Sequence, residues 1–335
     1  MKILIAGALD PHENQEEKRL CEAVSAWYKK QGHTTDICYL PFKMDYHGIH
    51  EQIMAYRLLT TYPEAEMLVT VGYPAFALKH PNKHVLLLNF LPGFHTNYNT
   101  EYGFMESWYH VSKDQRIRGN LLRVEKTCLE EAKSIHCASR YLAEEVASLG
   151  CETGVFRPAY MLPQKGNTNA ERNAYLVQSC LAPMDRIDLL LEAVKASNVK
   201  LCIFVPSAED CYIEAVKARA ARFSVSDCVQ IARSEISISD LKAHRGVICL
   251  RRGSGSVPSW VFLAAEAGIP CVVPSDGGAL CERQDDGAVV VVEPKSEAIA
   301  NVLEKLNGRK KAQPSTESDL PVETTDLLGK WGGVE

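Results

Sequence analysis

The segment Arg251-Arg252-Gly253-Ser254-Gly255-Ser256 is the part of this chain best equipped for chemistry. Two guanidinium groups stand beside a run of small residues, and arginine forks next to successive backbone N–H groups make a grip for phosphate. An apolar strand, Gly246–Leu250, leads into this loop and a helix-like segment follows it. A second buried strand, A-G-I-P-C-V-V-P, comes next and is closed by the tight turn Asp276-Gly277-Gly278. Strand, small-residue loop, helix and strand in that order is how α/β folds present N–H groups at a helix N-terminus to an anion. For acid–base work the sequence offers His95, in the loop P-G-F-H-T-N-Y-N, then Asp10 and His12 at the end of the first strand, and His80. An imidazole titrates near neutral pH and can move a proton either way. His136-Cys137 has the composition of a nucleophile pair, but neighbours along a strand point to opposite faces, so a core role is expected.

The elements that must position these groups alternate regularly. Strands are predicted at Lys2–Ala6, Thr34–Leu40, Met67–Val71, His84–Asn89 and Ser134–Ala138, with helices at Glu16–Gln31, Ile49–Leu59 and Leu121–Ala132 between them. Ser139 is placed to cap a further helix that ends at Gly150. The alternation restarts at Ala174 and runs to a helix over Ser296–Leu306. This pattern predicts a Rossmann-like domain over 1–160, a proline- and polar-rich linker over 161–173, a second Rossmann-like domain over 174–307, and a partly flexible tail over 308–335. The expected fold class is α/β, with two doubly wound parallel sheets facing across a cleft. Ligands then belong at the carboxyl ends of the strands.

Composition narrows the function. The 335 residues suit two domains, each with its own core. A net charge of −5 and a pI near 6.1 give no electrostatic footprint for nucleic acid. No apolar run is long enough to span a bilayer, and the start resembles a strand rather than an export signal. The twelve cysteines include no C-x-x-C pair and several lie in apolar strands, so reduced, buried thiols in a cytoplasmic protein are expected, with no metal site.

The order of segments resembles a GT-B glycosyltransferase of the family-4 type (glycosyl transferases group 1). The likeness is carried by L-P-F-K (Leu40–Lys43), Y-R-L-L (Tyr56–Leu59), H-P-N-K (His80–Lys83), T-E-Y-G (Thr100–Gly103) and I-H-C-A-S-R-Y-L-A-E-E-V in the first half. In the second half it is carried by I-D-L-L-L-E-A-V, A-G-I-P-C-V-V-P and D-G-G-A-L-C-E…D-D-G-A-V-V-V-V-E-P.

The resemblance implies transfer of a sugar from a nucleotide-sugar, as substrate rather than cofactor, to an unknown acceptor. It also implies where the family's supporting groups should stand, and this chain departs at each. A glycine pair opening the first helix is replaced by Gln15-Glu16, and a loop histidine by Asn89-Phe90-Leu91. An arginine and a lysine for the leaving diphosphate are replaced by Cys180 and Asp185, and two glutamates by Gly255 and Leu263. Compensating groups for the donor phosphates are Arg251, Arg252, the loop Gly253–Ser256 and Arg186; for the nucleotide they are Glu282, with Glu266 as a further carboxylate, and Gly277-Gly278. Two functions remain open: a divergent transferase, or a catalytically inactive pseudo-glycosyltransferase serving as a binding module, as a protein partner's subunit or in a homo-oligomer.

Overall fold

The computed structural model describes residues 1–9, 15–43, 48–59, 64–91, 94–95, 115–158, 162–164, 174–179, 185–206 and 210–308, with the backbone alone at 15, 212 and 286. The described residues form two compact units, 1–158 and 162–308.

The first unit holds strands β1 (Lys2–Leu9), β2 (Thr34–Pro41), β3 (Met67–Val71), β4 (Lys83–Leu87), β5 (Ser134–Cys137) and β6 (Gly154–Val155) in the order β2-β1-β3-β4-β5-β6. Every pairing is parallel. Helices α1 (Gln15–Lys30), α2 (Ile49–Leu58), α3 (Gln115–Glu130) and α4 (Arg140–Ser148) complete it. A parallel sheet covered on both faces must be apolar on both, and the side-chain period of two separates the faces. Leu4, Ala6 and Ala8 enter the core that contains α2 and α3 residues, whereas Ile3 and Ile5 pack with Leu20, Cys21 and Val24 of α1. Ser139 caps α4 as its type predicts, its hydroxyl accepting from the Leu142 N–H at 3.0 Å.

The second unit holds β7 (Tyr175–Gln178), β8 (Leu201–Phe204), β9 (Val229–Ala232), β10 (Gly246–Ile248), β11 (Cys271–Pro274) and β12 (Val289–Val292), again all parallel, in the order β12-β11-β10-β7-β8-β9. Its helices are α5 (Ile187–Ser197), α6 (Asp210–Arg222), α7 (Ile238–Ala243), α8 (Ser259–Glu266) and α9 (Ser296–Asn307). A 3-10 segment, Ala279–Asp286, occupies what the sequence presents only as a turn and its sequel. Of the expected linker, Pro163 and Gln164 accept backbone hydrogen bonds from Ile238 and Ser239 at the start of α7. The expected tail beyond Gly308 lies outside the described residues, as does T-E-Y-G.

Several resemblance motifs serve the frame rather than a ligand. In H-P-N-K, His80 Nε2–H donates to Ala65 O at 3.0 Å while Nδ1 accepts from the Asn82 N–H at 3.0 Å. Lys83 is completely buried, and its ammonium donates to the carbonyls of Phe76, Leu78 and Cys128 at 2.9, 3.0 and 2.8 Å. In Y-R-L-L, Arg57 holds Glu131 with both terminal nitrogens. Of the H-C pair, Cys137 is core, as expected, with its thiol pushed up to about 11 by desolvation, whereas His136 is half-buried, and a Cβ on Gly154 would lie 2.9 Å from its Nδ1. Eleven cysteines among the described residues stand outside any disulfide.

Candidate functional site

The carboxyl ends of β7, β10 and β11 bring together five charged side chains. Asp185, which stands where the resemblance leads to a lysine, is buried and accepts from Ser179 Oγ at 2.6 Å and Arg251 Nε at 2.9 Å. Arg186 has a left-handed backbone (φ 54°, ψ 43°) and precedes α5. Its guanidinium is buried and holds Asp276 with both terminal nitrogens, at 2.7 and 2.5 Å. Arg252 Nε lies 3.7 Å from the same carboxylate, an ion pair wider than a hydrogen bond. Among the described residues, these three arginines and two carboxylates sum to one positive charge. Partial burial pushes the Asp276 carboxyl up, but the hydrogen bond and charge of Arg186, with the charge of Arg252, outweigh it and hold the group below the ordinary aspartate range.

The expected anion nest is a paired element in this structure. Gly253 N–H donates to Asp276 O and Ser254 N–H to Gly277 O, and Ala279 N–H returns a bond to Ser254 O. Ser254 Oγ donates to Ser256 O at 2.6 Å, and residues 253–256 are buried. The N–H groups of Gly253 and Ser254 therefore already have chain partners. The two glycines of the turn are required by this pairing. Gly278 sits at φ 65°, ψ −123°, a region closed to other residues, and a Cβ on Gly277 would come within 2.9 Å of Pro274 O. What the site leaves partly open is arginine: the side chains of Arg251 and Arg252 are 34% and 29% exposed, whereas that of Arg186 is 3% exposed. Arg186, expected as a compensating cation for the donor phosphates, is engaged by Asp276.

Other expected positions separate from this cluster. Leu263 lies in the core of α8 at 1% exposure. Glu266 is held by Arg283 at 2.6 Å, and Arg283 also lies 4.2 Å over the Phe262 ring. Glu282 is exposed on the 3-10 segment. Cys180, Asp10 and His12 lie outside the described residues. In the first unit, α1 opens with Glu16 and Glu17, and a Cβ on Gly72 would meet Glu17 Oε1 at 2.4 Å. The chain's own carboxylate thus packs against the first turn after β3, near a helix N-terminus whose dipole favours negative charge.

A second cluster stands at the carboxyl ends of β3 and β4, and the sequence points only to its histidine. His95 Nε2 lies 2.9 Å from Glu125 Oε2, and Tyr73 Oη–H donates to Glu125 Oε1 at 2.8 Å. Glu125 is completely buried, and Phe90 lies parallel to the imidazole at 4.2 Å and 6°. Glu145 of α4 is close enough to sense both: burial pushes its carboxyl up to about 7, His95 opposes the rise and Glu125 adds to it. A signal for Glu125 existed. In α3 the buried positions are Leu121, Glu125, Cys128 and Leu129, so an acid stands inside an apolar helical stripe.

Glu145 gives a pH-dependent expectation. Its folded pKa lies above the unfolded value, so the stability it contributes is full below about 4.5 and is lost as pH rises through about 7. Glu145→Gln should therefore be more stable than the wild type at pH 8.5, by about 2 kcal/mol, and no more stable at pH 4.5. Urea midpoints at the two pH values measure this.

Among the described residues, no group of three or more His, Cys, Asp or Glu side chains is placed to hold a metal ion, and no helix is long and apolar enough to cross a membrane.

Two successive doubly wound units, each with a six-stranded parallel sheet, are the architecture of the GT-B glycosyltransferases, and this chain has that fold. Solved structures similar to it over nearly its whole length include WaaG, a glycosyltransferase involved in lipopolysaccharide biosynthesis, with a TM-score of 0.64 at 12% identity, covering 99% of this chain and 98% of that one. Alr3699/HepE of Anabaena in complex with UDP gives 0.65 at 13% identity, with 97% and 95% covered. MnaA of S. aureus, solved with UDP, gives 0.56 at 11% identity, with 94% and 91% covered. No protein-family model and no curated protein sequence matches the chain.

Proposed function

We propose that this chain is a glycosyltransferase that binds the diphosphate of a nucleotide-sugar donor through Arg251 and Arg252 and passes the sugar to an acceptor hydroxyl. The observation that carries this reading is the pair of partly exposed guanidiniums at the carboxyl end of β10, in a cluster with one net positive charge. Charge gathers on a leaving diphosphate, and fixed cations stabilise it. Asp185, a like charge toward a phosphate, is neutralised by Arg251 at 2.9 Å. Arg186 contributes indirectly by fixing Asp276 and hence the turn that pairs with Gly253 and Ser254. Structures of HepE with UDP and with UDP-glucose support the same ligand class. Thiols outside any disulfide among the described residues fit a cytoplasmic location.

The test is release of nucleoside diphosphate from UDP-glucose, GDP-glucose and ADP-glucose, with water as the fallback acceptor. Release from one of them, lost in Arg252→Glu, supports the reading; no release from any, at enzyme-like concentrations and long times, opposes it.

One observation favours a second reading, a pseudo-glycosyltransferase acting as a binding module or partner subunit. The arginines already face the chain's own carboxylates, Asp185 and Asp276. That reading expects nucleotide binding without sugar release, or no binding at all.

A further inference from the structure

We infer that Gln178 selects the nucleobase of the donor, its amide N–H donating to a ring carbonyl, so that the ligand is a uridine or guanosine diphosphate sugar rather than a cytidine or adenosine one. This rests on the transferase reading above and names the class of nucleotide. The residues concerned all belong to the second unit.

Gln178 is the last residue of β7 and is half-buried. Its Oε1 accepts from the Ile236 N–H at 3.0 Å. A backbone N–H can meet only the oxygen of a side-chain amide, so this bond fixes which end of the group is which. Nε2 carries two hydrogens, and among the described residues neither has an acceptor. The end of the amide turned away from Ile236 therefore presents donors.

The loop that holds the amide is itself fixed. Ile236 and Ser237 are fully buried, and Ile236 lies in the core beside α7. Ser237 N–H donates to Asp240 Oδ2 at 2.9 Å while Asp240 N–H donates to Ser237 Oγ at 3.2 Å, a capping box that opens α7. Two residues before Ile236, the hydroxyl of Ser234 is closed to solvent and has no hydrogen-bond partner among the described residues. Such a group is costly to bury, and a polar ligand edge would satisfy it. The place suits a ligand. Ser179 N–H donates to Phe204 O and Val205 N–H to Ala232 O, so β7, β8 and β9 end side by side, and Gln178 reaches past β8 to the residues that follow β9. Ser179, the next residue, donates to Asp185, which Arg251 also holds. The amide thus stands one residue from the charged cluster.

The bases divide on this chemistry. Uracil and guanine carry a carbonyl oxygen beside a ring N–H. Cytosine and adenine reverse both, with an amine beside a bare ring nitrogen. A fixed N–H donor meets the first pair with a hydrogen bond and the second with donor against donor, and a site built around one hydrogen bond rejects the ligand that cannot make it. The Ser234 hydroxyl can donate or accept and so tolerates either pair. Discrimination falls to Gln178.

Calorimetric titration of the full chain with UDP, CDP, GDP and ADP tests this, read as the affinity ratios UDP to CDP and GDP to ADP, in which the diphosphate contribution cancels. The wild type should favour UDP over CDP, or GDP over ADP, by at least about tenfold. The ratio should fall to near one in Gln178→Leu. It should reverse in Gln178→Glu, whose carboxylate still accepts from the Ile236 N–H but offers only acceptors to the base. Because that variant keeps the bond to the loop, the test stands even where Gln178→Leu fails to fold. Arg252→Glu should weaken every nucleotide and leave the ratios unmoved, which separates the base contact from the phosphate contact. Binding by the wild type without preference, a preference for CDP or ADP, or a ratio unchanged in Gln178→Glu overturns the inference and leaves the diphosphate grip of Arg251 and Arg252 standing. No binding of any of the four overturns both.

Discussion

Lys83→Met should lower the unfolding free energy by about 3 kcal/mol, more than any surface substitution in the first unit. The ammonium of Lys83 joins three carbonyls that have nothing else in common. Phe76 is the middle residue of the 3-10 turn Ala75–Ala77 after β3 and Leu78 ends it, and Cys128 is in the last turn of α3. Methionine fills the stem's space but leaves three carbonyl oxygens without their donor in a place closed to water. Glu131 would keep Arg57 and lose only a 3.6 Å contact, so the effect belongs to the carbonyls. Burial depresses the amine's own affinity for a proton, which is the cost the three hydrogen bonds offset. Chemical denaturation of the variant measures the loss; a change under about 0.5 kcal/mol would show that the joint is not as closed as the geometry indicates.

Arg186→Met should cost about 2–3 kcal/mol in the second unit and should also alter its acid sensitivity. The loss is set below that of a fully buried pair because Asp276 is one-third exposed and water can partly solvate it. The folded carboxyl lies below its unfolded value, so the stability it contributes is present above about pH 4 and is lost as pH falls through the folded pKa. The wild type should therefore weaken on acidification below about pH 4 by more than Arg186→Met does, and the two curves should converge. Stability curves that stay parallel down to pH 2 would mean that Arg186 does not hold Asp276 in solution. Because Asp276 O and Gly277 O pair with Gly253 and Ser254, the same variant should loosen the turn that carries Arg252.

The frame was legible in the sequence because its signal is repeated. Apolar runs such as L-C-I-F and C-V-V-P can be nothing but buried strands, and Ser139 and Gly150 bound α4 by their own preferences. The site was legible only in part, because a sequence gives charges without their partners. Arg251, Arg252 and Arg186 are visible as cations, but the carboxylates that meet them, Asp185 and Asp276, come from other strand ends. The Gly/Ser loop reads as an open nest, whereas backbone pairing with Asp276-Gly277-Gly278 occupies its first donors. H-P-N-K carries the resemblance yet is explained by His80 and Lys83 holding backbone carbonyls. Glu125 shows the converse: a charged residue in a helix surface pattern becomes informative only once Leu121, Cys128 and Leu129 place it on the buried stripe.

The central claim is that Arg251 and Arg252 hold a diphosphate, and calorimetric titration tests it most directly. UDP, GDP and ADP are titrated into the full chain as wild type and as Arg252→Glu, at low and physiological salt. The account predicts heat with one of the three, weakened by salt, and binding at least about tenfold weaker in Arg252→Glu, since one charge-assisted phosphate contact is lost and a repulsion gained. No heat with any of the three, or equal binding by the two proteins, would contradict it.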